Sequence, residues 1–207
     1  MRGLLALLLL AFAAPLAAQA PLLTSHLRIH DPWVVADTDS QTYWLFSRND
    51  PSVTGDKRLG IMAYVSRDLA HWEKPRIVFT LPDGTWANEG AWAPEVHRWK
   101  GRWYLLATFH NEGAAIRAKA KRQTYRRTTL LAVSDRLDGP FALVRSGDPI
   151  APTDAMTLDG TLHVDAAGKP WLVYAHEWMQ VGKNSLKATS FMSPTAPNCS
   201  ARRRVRC

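Results

Sequence analysis

Pro94-Glu95-Val96-His97-Arg98-Trp99, the turn Lys100-Gly101, and Arg102-Trp103-Tyr104-Leu105-Leu106-Ala107 decide the fold, because the same pattern occurs three times. Upstream it reads Asp31-Pro32-Trp33-Val34-Val35-Ala36, the polar turn 37–41, then Thr42-Tyr43-Trp44-Leu45-Phe46-Ser47. Downstream it reads Asp159-Gly160-Thr161-Leu162-His163-Val164, the turn 165–168, then Lys169-Pro170-Trp171-Leu172-Val173-Tyr174. Each copy is a short strand, a turn, and a strand that is aromatic near its start. The copies begin at 31, 94 and 159, so they lie 63 and 65 residues apart. A hairpin recurring at so long a period predicts a propeller of four-stranded blades rather than a β-sandwich.

The second half of each blade is also legible. Leu59 to Ser66 reads as a third strand, Arg67 to Trp72 as a turn, and Ile77-Val78-Phe79 as a fourth strand. Thr128 to Ser134, the turn 135–140 and Phe141-Ala142-Leu143-Val144 repeat that order. From Gly182 to Cys207 the pattern stops: the segment holds no acidic residue and no Trp or Tyr. It reads as a basic tail, either disordered or foreign to the fold, as a reading-frame shift near Lys187 would produce.

Residues 1–20 are set apart from the fold. Arg2 is a positive n-region, Leu4 to Ala14 an apolar h-region, and Ala18-Gln19-Ala20 a small-residue cleavage site, which together predict a signal peptide. The expected destination is secreted or periplasmic, with no membrane attachment after signal removal. Residues 21–181 then form the β-propeller region and 182–207 the tail. The only cysteines, Cys199 and Cys207, lie in that tail, so the body folds without disulfides.

Of 207 residues, 46% are apolar, which is enough for a sizeable core. The formal charge is +8, but twelve of the cations sit in two acid-free runs, 117–127 and 183–206. Setting those and Arg2 aside leaves −5 for the rest. With no basic stripe along a recognition element, no nucleic-acid partner is expected. The seven histidines show no paired metal-ligand spacing, and no Gly-rich phosphate loop is present. Nine Trp exceed what core filling needs, and flat aromatic faces suit sugar rings.

In a propeller the innermost strands bring their starts to the mouth of one channel. Asp31 and Asp159 occupy that position in units one and three, and Glu95 lies close to it in unit two. Carboxylates converging from several blades suit glycoside hydrolysis, where one activates water and others donate or tune a proton. Any single Asp-Pro or Asp-Gly would otherwise be a turn residue.

Ile29 to Val34, Ala91-Trp92-Ala93-Pro94-Glu95-Val96 and Leu158 to Thr161 resemble the blade starts of glycoside hydrolase family 43. Val133 to Phe141 is similar to the family's blade-ending turn. The resemblance spans 29–181 and implies an all-β fold, a partial five-bladed β-propeller with about two and a half blades present. It further implies inverting hydrolysis of arabinose- or xylose-containing polysaccharide of plant type. By the same resemblance Asp31 is the general base, and Asp159 the carboxylate that tunes and holds the acid. The family's acid, a Glu opening the fourth blade, is expected beyond Cys207. Glu177, in His176-Glu177-Trp178, is the remaining catalytic candidate. His30, Trp33, Trp92, Glu95 and Trp178 are the substrate-binding candidates. No cofactor is expected, and the ligands of any cation on the channel axis would lie in other blades. The chain by itself is expected to be inactive. Two other readings stay open: a non-catalytic carbohydrate-binding propeller, and a basic-tailed adhesion protein.

Overall fold

The structure, a computed structural model, describes residues 20–116, 124–151, 155–176 and 186–190. Its strands are β1 (Leu22–Leu23), β2 (Trp33–Asp37), β3 (Thr42–Arg48), β4 (Gly60–Ser66), β5 (His71–Trp72) and β6 (Arg76–Thr80). Then follow β7 (Glu89–Trp99), β8 (Arg102–Ala115), β9 (Tyr125–Ser134), β10 (Ala142–Leu143), β11 (Thr157–Val164), β12 (Pro170–His176) and β13 (Leu186–Ser190). They form three antiparallel sheets, one for each repeat of the sequence. The first runs β1-β5-β4-β3-β2 with β6 also on β4, the second β10-β9-β8-β7, and the third β11-β12-β13. In each, the first strand of the repeated hairpin (β2, β7 or β11) takes an edge and pairs with the strand that follows it. Among the described residues no helix is long and apolar enough to cross a membrane.

The continuous apolar runs follow from burial on both faces of a blade, since successive side chains of a strand point opposite ways. On β8, Leu105, Ala107 and Phe109 face blade one, where they meet Phe46, Ile61, Ala63 and Phe79. Phe79 and Phe109 meet edge to face, with ring centres 6.1 Å apart. The alternate residues Tyr104 and Leu106 face blade three and meet Leu172 and Tyr174. Each fully buried Leu, Ile or Phe among them contributes roughly 1.5–3 kcal/mol. The far face of blade one is closed by the N-terminal segment, with Leu22 and Leu27 packed on Leu45, Met62, Tyr64 and Trp72. The Trp72 indole N–H donates to Thr24 Oγ1 at 3.0 Å, which ties that segment down.

Strand β13 lies inside the segment read from sequence as a tail. It pairs along β12 from Trp171↔Ser190 to Ala175↔Leu186 and so is the third strand of its blade. Backbone pairing to an existing edge holds it, which explains why a side-chain pattern did not reveal it. Residues 191–207 lie outside the described residues, as do 1–19.

Candidate active site at the propeller mouth

Asp31, Ala93 and Asp159 are the structurally equivalent residues of the three blade starts. All three are non-glycine residues in the left-handed region, with φ of 44°, 41° and 51°. The pairing register shifts beside two of them, between Trp92 and Glu95 and between Leu158 and Thr161. Such bulges re-aim a side chain at the end of a strand. Blades one and three place a carboxylate there and blade two a methyl group. Glu95 stands two residues further on, in phase with Trp33 and Thr161.

Those three later positions meet one another through His97. The Trp33 ring packs on the His97 ring, 5.1 Å between centres, and its indole N–H donates to the Val96 carbonyl at 3.0 Å. His97 Nε2 lies 2.8 Å from a Glu95 carboxylate oxygen and 3.4 Å from Thr161 Oγ1. Trp33, Glu95 and His97 thus link blade one to blade two, and Thr161 adds blade three. Asp31 and Asp159 stand two residues before Trp33 and Thr161, which meet at His97. Both aspartates are exposed.

Around Asp31, His30 Nδ1 approaches the carboxylate at 3.0 Å. A hollow of about 410 Å³ adjoins this pair, lined by Arg28, Ile29, His30, Arg48, Asn49 and Asp50. Arg28 donates to Asp50 at 2.7 Å, fixing one wall. On the blade-two side Trp92 is half-buried, its ring 4.5 Å from that of His110. The Arg127 guanidinium lies over Trp92 at 4.8 Å and over Tyr125 at 4.9 Å, and it donates to the Tyr125 hydroxyl. His110 is only 2% exposed. Burial, and next the Arg127 charge, push its imidazole below the ordinary value, against a smaller opposing pull from Glu89. His110 is therefore neutral at pH 7, an uncharged support for the Trp92 ring.

Of the residues singled out from sequence, the structure brings Asp31, His30, Trp33, Trp92, Glu95 and Asp159 to one end of the blades. Glu177 and Trp178 lie outside the described residues. His110 and Arg127 escaped the sequence reading. The signal was a histidine and an arginine inside otherwise apolar or Thr-rich strands, at positions where burial leaves a polar group needing a reason. Among the described residues no group of three His, Cys, Asp or Glu side chains is placed to hold a metal ion.

The model of glycosyl hydrolases family 43 matches residues 20–200. Among solved structures the chain is similar to the endo-arabinase from Bacteroides thetaiotaomicron VPI-5482, at 30% identity and a TM-score of 0.67. That alignment covers 83% of this chain and 54% of the other. It is also similar to a GH43_1 enzyme from Xanthomonas citri complexed with xylotriose (25% identity, TM-score 0.50, covering 74% and 42%). The fold further matches a Bacillus subtilis arabinanase at 20% identity and a TM-score of 0.51, covering 74% and 50%. No curated protein matches the chain. The chain spans about half the length of these solved relatives, so its blades are part of their five-bladed propeller. With the family model matched over nearly all of the described residues, the chain belongs to glycosyl hydrolases family 43.

Proposed function

We propose that this chain is the front part of an exported glycoside hydrolase that cleaves arabinose- or xylose-containing polysaccharide with inversion. The observation that carries the reading is the pair Asp31 and Asp159, both exposed and at equivalent left-handed positions of two blades. In the proposed mechanism Asp31 takes a proton from water as that water attacks the anomeric carbon, and His30 at 3.0 Å orients it. Asp159 holds the protonated acid in place, and the half-buried Trp92 offers its ring to the sugar. Inversion requires acid and base roughly 6.5–9.5 Å apart, with room for the water between them. The B. thetaiotaomicron relative's description as an endo-arabinase and the xylotriose bound to the X. citri enzyme support the choice of sugar.

We expect the 207-residue chain to bind oligosaccharide but not to turn it over, since this scheme gives the acid's role to neither Asp31 nor Asp159 and general acid catalysis is worth about 10²–10⁴ in rate. Calorimetric titration with arabino- and xylo-oligosaccharides tests binding, and nitrophenyl arabinofuranoside and xyloside test turnover. Absence of binding to both sugar types would sink the reading. Robust nitrophenol release would overturn the inactivity of the chain alone. For export, N-terminal sequencing of the product recovered outside the cytoplasm should find a start after Ala18 or Ala20. A start at Met1 there contradicts it.

A further inference from the structure

The two proposed working carboxylates share a second feature, beneath the mouth rather than in it. A non-glycine residue in the left-handed region costs about 1–2 kcal/mol and persists only where its surroundings hold it. At Asp31 the holding group is Ser47, which sits on β3 with no exposed surface. Its Oγ accepts the His30 N–H at 3.0 Å and donates its proton to the His30 carbonyl, also at 3.0 Å. One hydroxyl thus clamps both polar groups of the peptide residue that precedes Asp31. At Asp159 the holding group is Thr108 on β8, in the neighbouring blade and likewise fully buried. Its Oγ1 accepts the Asp159 N–H at 3.0 Å. The next N–H, that of Gly160, donates to Thr129 Oγ1 at 3.1 Å, and Thr129 too is fully buried.

Three hydroxyls with no exposed surface therefore point at the backbone of the Asp31 and Asp159 blade starts. Ladder hydrogen bonding does not reach the His30 N–H, which precedes β2, nor those of Asp159 and Gly160 where the register shifts, and a buried orphan donor would cost about 1–3 kcal/mol. At Asp159 both acceptors come from blade two, so the orientation of a blade-three carboxylate is set by its neighbour across the interface. We infer that Ser47, Thr108 and Thr129 are positioning residues, which fix the left-handed turns of Asp31 and Asp159 and so the aim of both carboxylates. This rests on the reading of the mouth as a sugar site.

The test uses Thr108→Val, Thr129→Val and Ser47→Ala in the full chain, with Thr108→Ser and Ser47→Thr as conservative partners. Ser66→Ala is the control: Ser66 is also buried, but its Oγ accepts the Leu69 N–H at 2.9 Å in the outer turn of blade one. Amide hydrogen exchange is read at His30, Asp159 and Gly160, together with oligosaccharide affinity and Tm. Thr108→Val should speed exchange at Asp159 by roughly tenfold, and Ser47→Ala should do so at His30, with affinity falling by a similar factor. The conservative partners should restore both. Ser66→Ala should lower Tm and leave affinity unchanged. If Thr108→Val and Ser47→Ala lower Tm but leave local exchange and affinity at the level of Ser66→Ala, the hydroxyls are structural only and the inference fails. If no variant nor the wild type binds any oligosaccharide, the sugar-site reading fails, and exchange at Asp159 and His30 still decides whether the clamps exist.

Discussion

Replacing Gly160 by Ala should loosen blade three from blade two and disturb Asp159 with it. A Cβ built on Gly160 would lie 2.5 Å from Thr129 Oγ1, 2.7 Å from its Cγ2 and 2.8 Å from its Cβ. Thr129 cannot swing aside, because it is fully buried on β9 between β8 and the third blade. Overpacking of this kind costs about 1–3 kcal/mol, and parting Gly160 N–H from Thr129 Oγ1 adds about 1 kcal/mol. A loss of about 2–4 kcal/mol follows, which for a chain of this size lowers Tm by roughly 5–15 °C. The comparison variant is Gly168→Ala, in the β11–β12 turn. There φ is +75° with nothing within 4 Å, so only the backbone cost of about 1–2 kcal/mol applies. Thermal unfolding followed by near-ultraviolet circular dichroism, which reports the interblade Trp and Tyr rings, gives both numbers. The further substitution Thr129→Ala removes two of the three clashing atoms and should return part of the loss. A Tm for Gly160→Ala equal to or above that of Gly168→Ala would refute the close approach between the blades.

Two further outcomes follow from the same contacts. Asp68 accepts the N–H groups of Ala70 and His71 and lies 2.8 Å from His71 Nδ1, and these bonds, led by the His71 N–H, hold its carboxyl well below the ordinary value. Asp50, bonded by Ser52 and Arg28, is held at about 2. A depressed carboxyl contributes stability above its unfolded value, about 3.9, and loses it as pH falls through the folded one. The difference in urea midpoint between wild type and Asp68→Ala should therefore shrink from about pH 5 to about pH 2, and a constant difference would argue against it. Trp33→Phe keeps the ring against His97 but removes the indole donor to Val96, and should lower the urea-derived stability by about 1 kcal/mol. No change would mean that bond does not join blades one and two.

Sequence alone determined the hairpins, their long period, the blade-closing turns and the position of two carboxylates at strand starts. Those features are local: a turn is set by its own residues, and an apolar run such as Trp103 to Ala107 needs only burial on both faces. The resemblance of the Asp31, Trp92 and Asp159 segments is by itself enough to point to the family. What sequence could not place was phase at the bulges. In sequence Glu95 lies close to the aspartate position in unit two, whereas the register shift makes Ala93 the equivalent residue and turns Glu95 to His97. A single inserted residue moves every later side chain to another face, and nothing in the strand's composition marks it. Strand β13 was missed for a related reason, since an existing edge can recruit backbone of almost any composition.

Only the tertiary structure decided which polar residues serve the mouth. Ser47, Thr108 and Thr129 look in sequence like ordinary members of Thr- and Ser-rich strands, and their value comes from N–H groups contributed 17, 51 and 31 residues away. His110 and Arg127 gain theirs from Trp92 in the same way. Pattern along the chain is enough to build a blade's hairpins, because the hydrogen bonds of a hairpin lie between consecutive strands. The site gathers contacts within blade one (Ser47 to His30), within blade two (His110 and Arg127 to Trp92) and across to blade three (Thr108 and Thr129), and these depend on distances that no local period encodes.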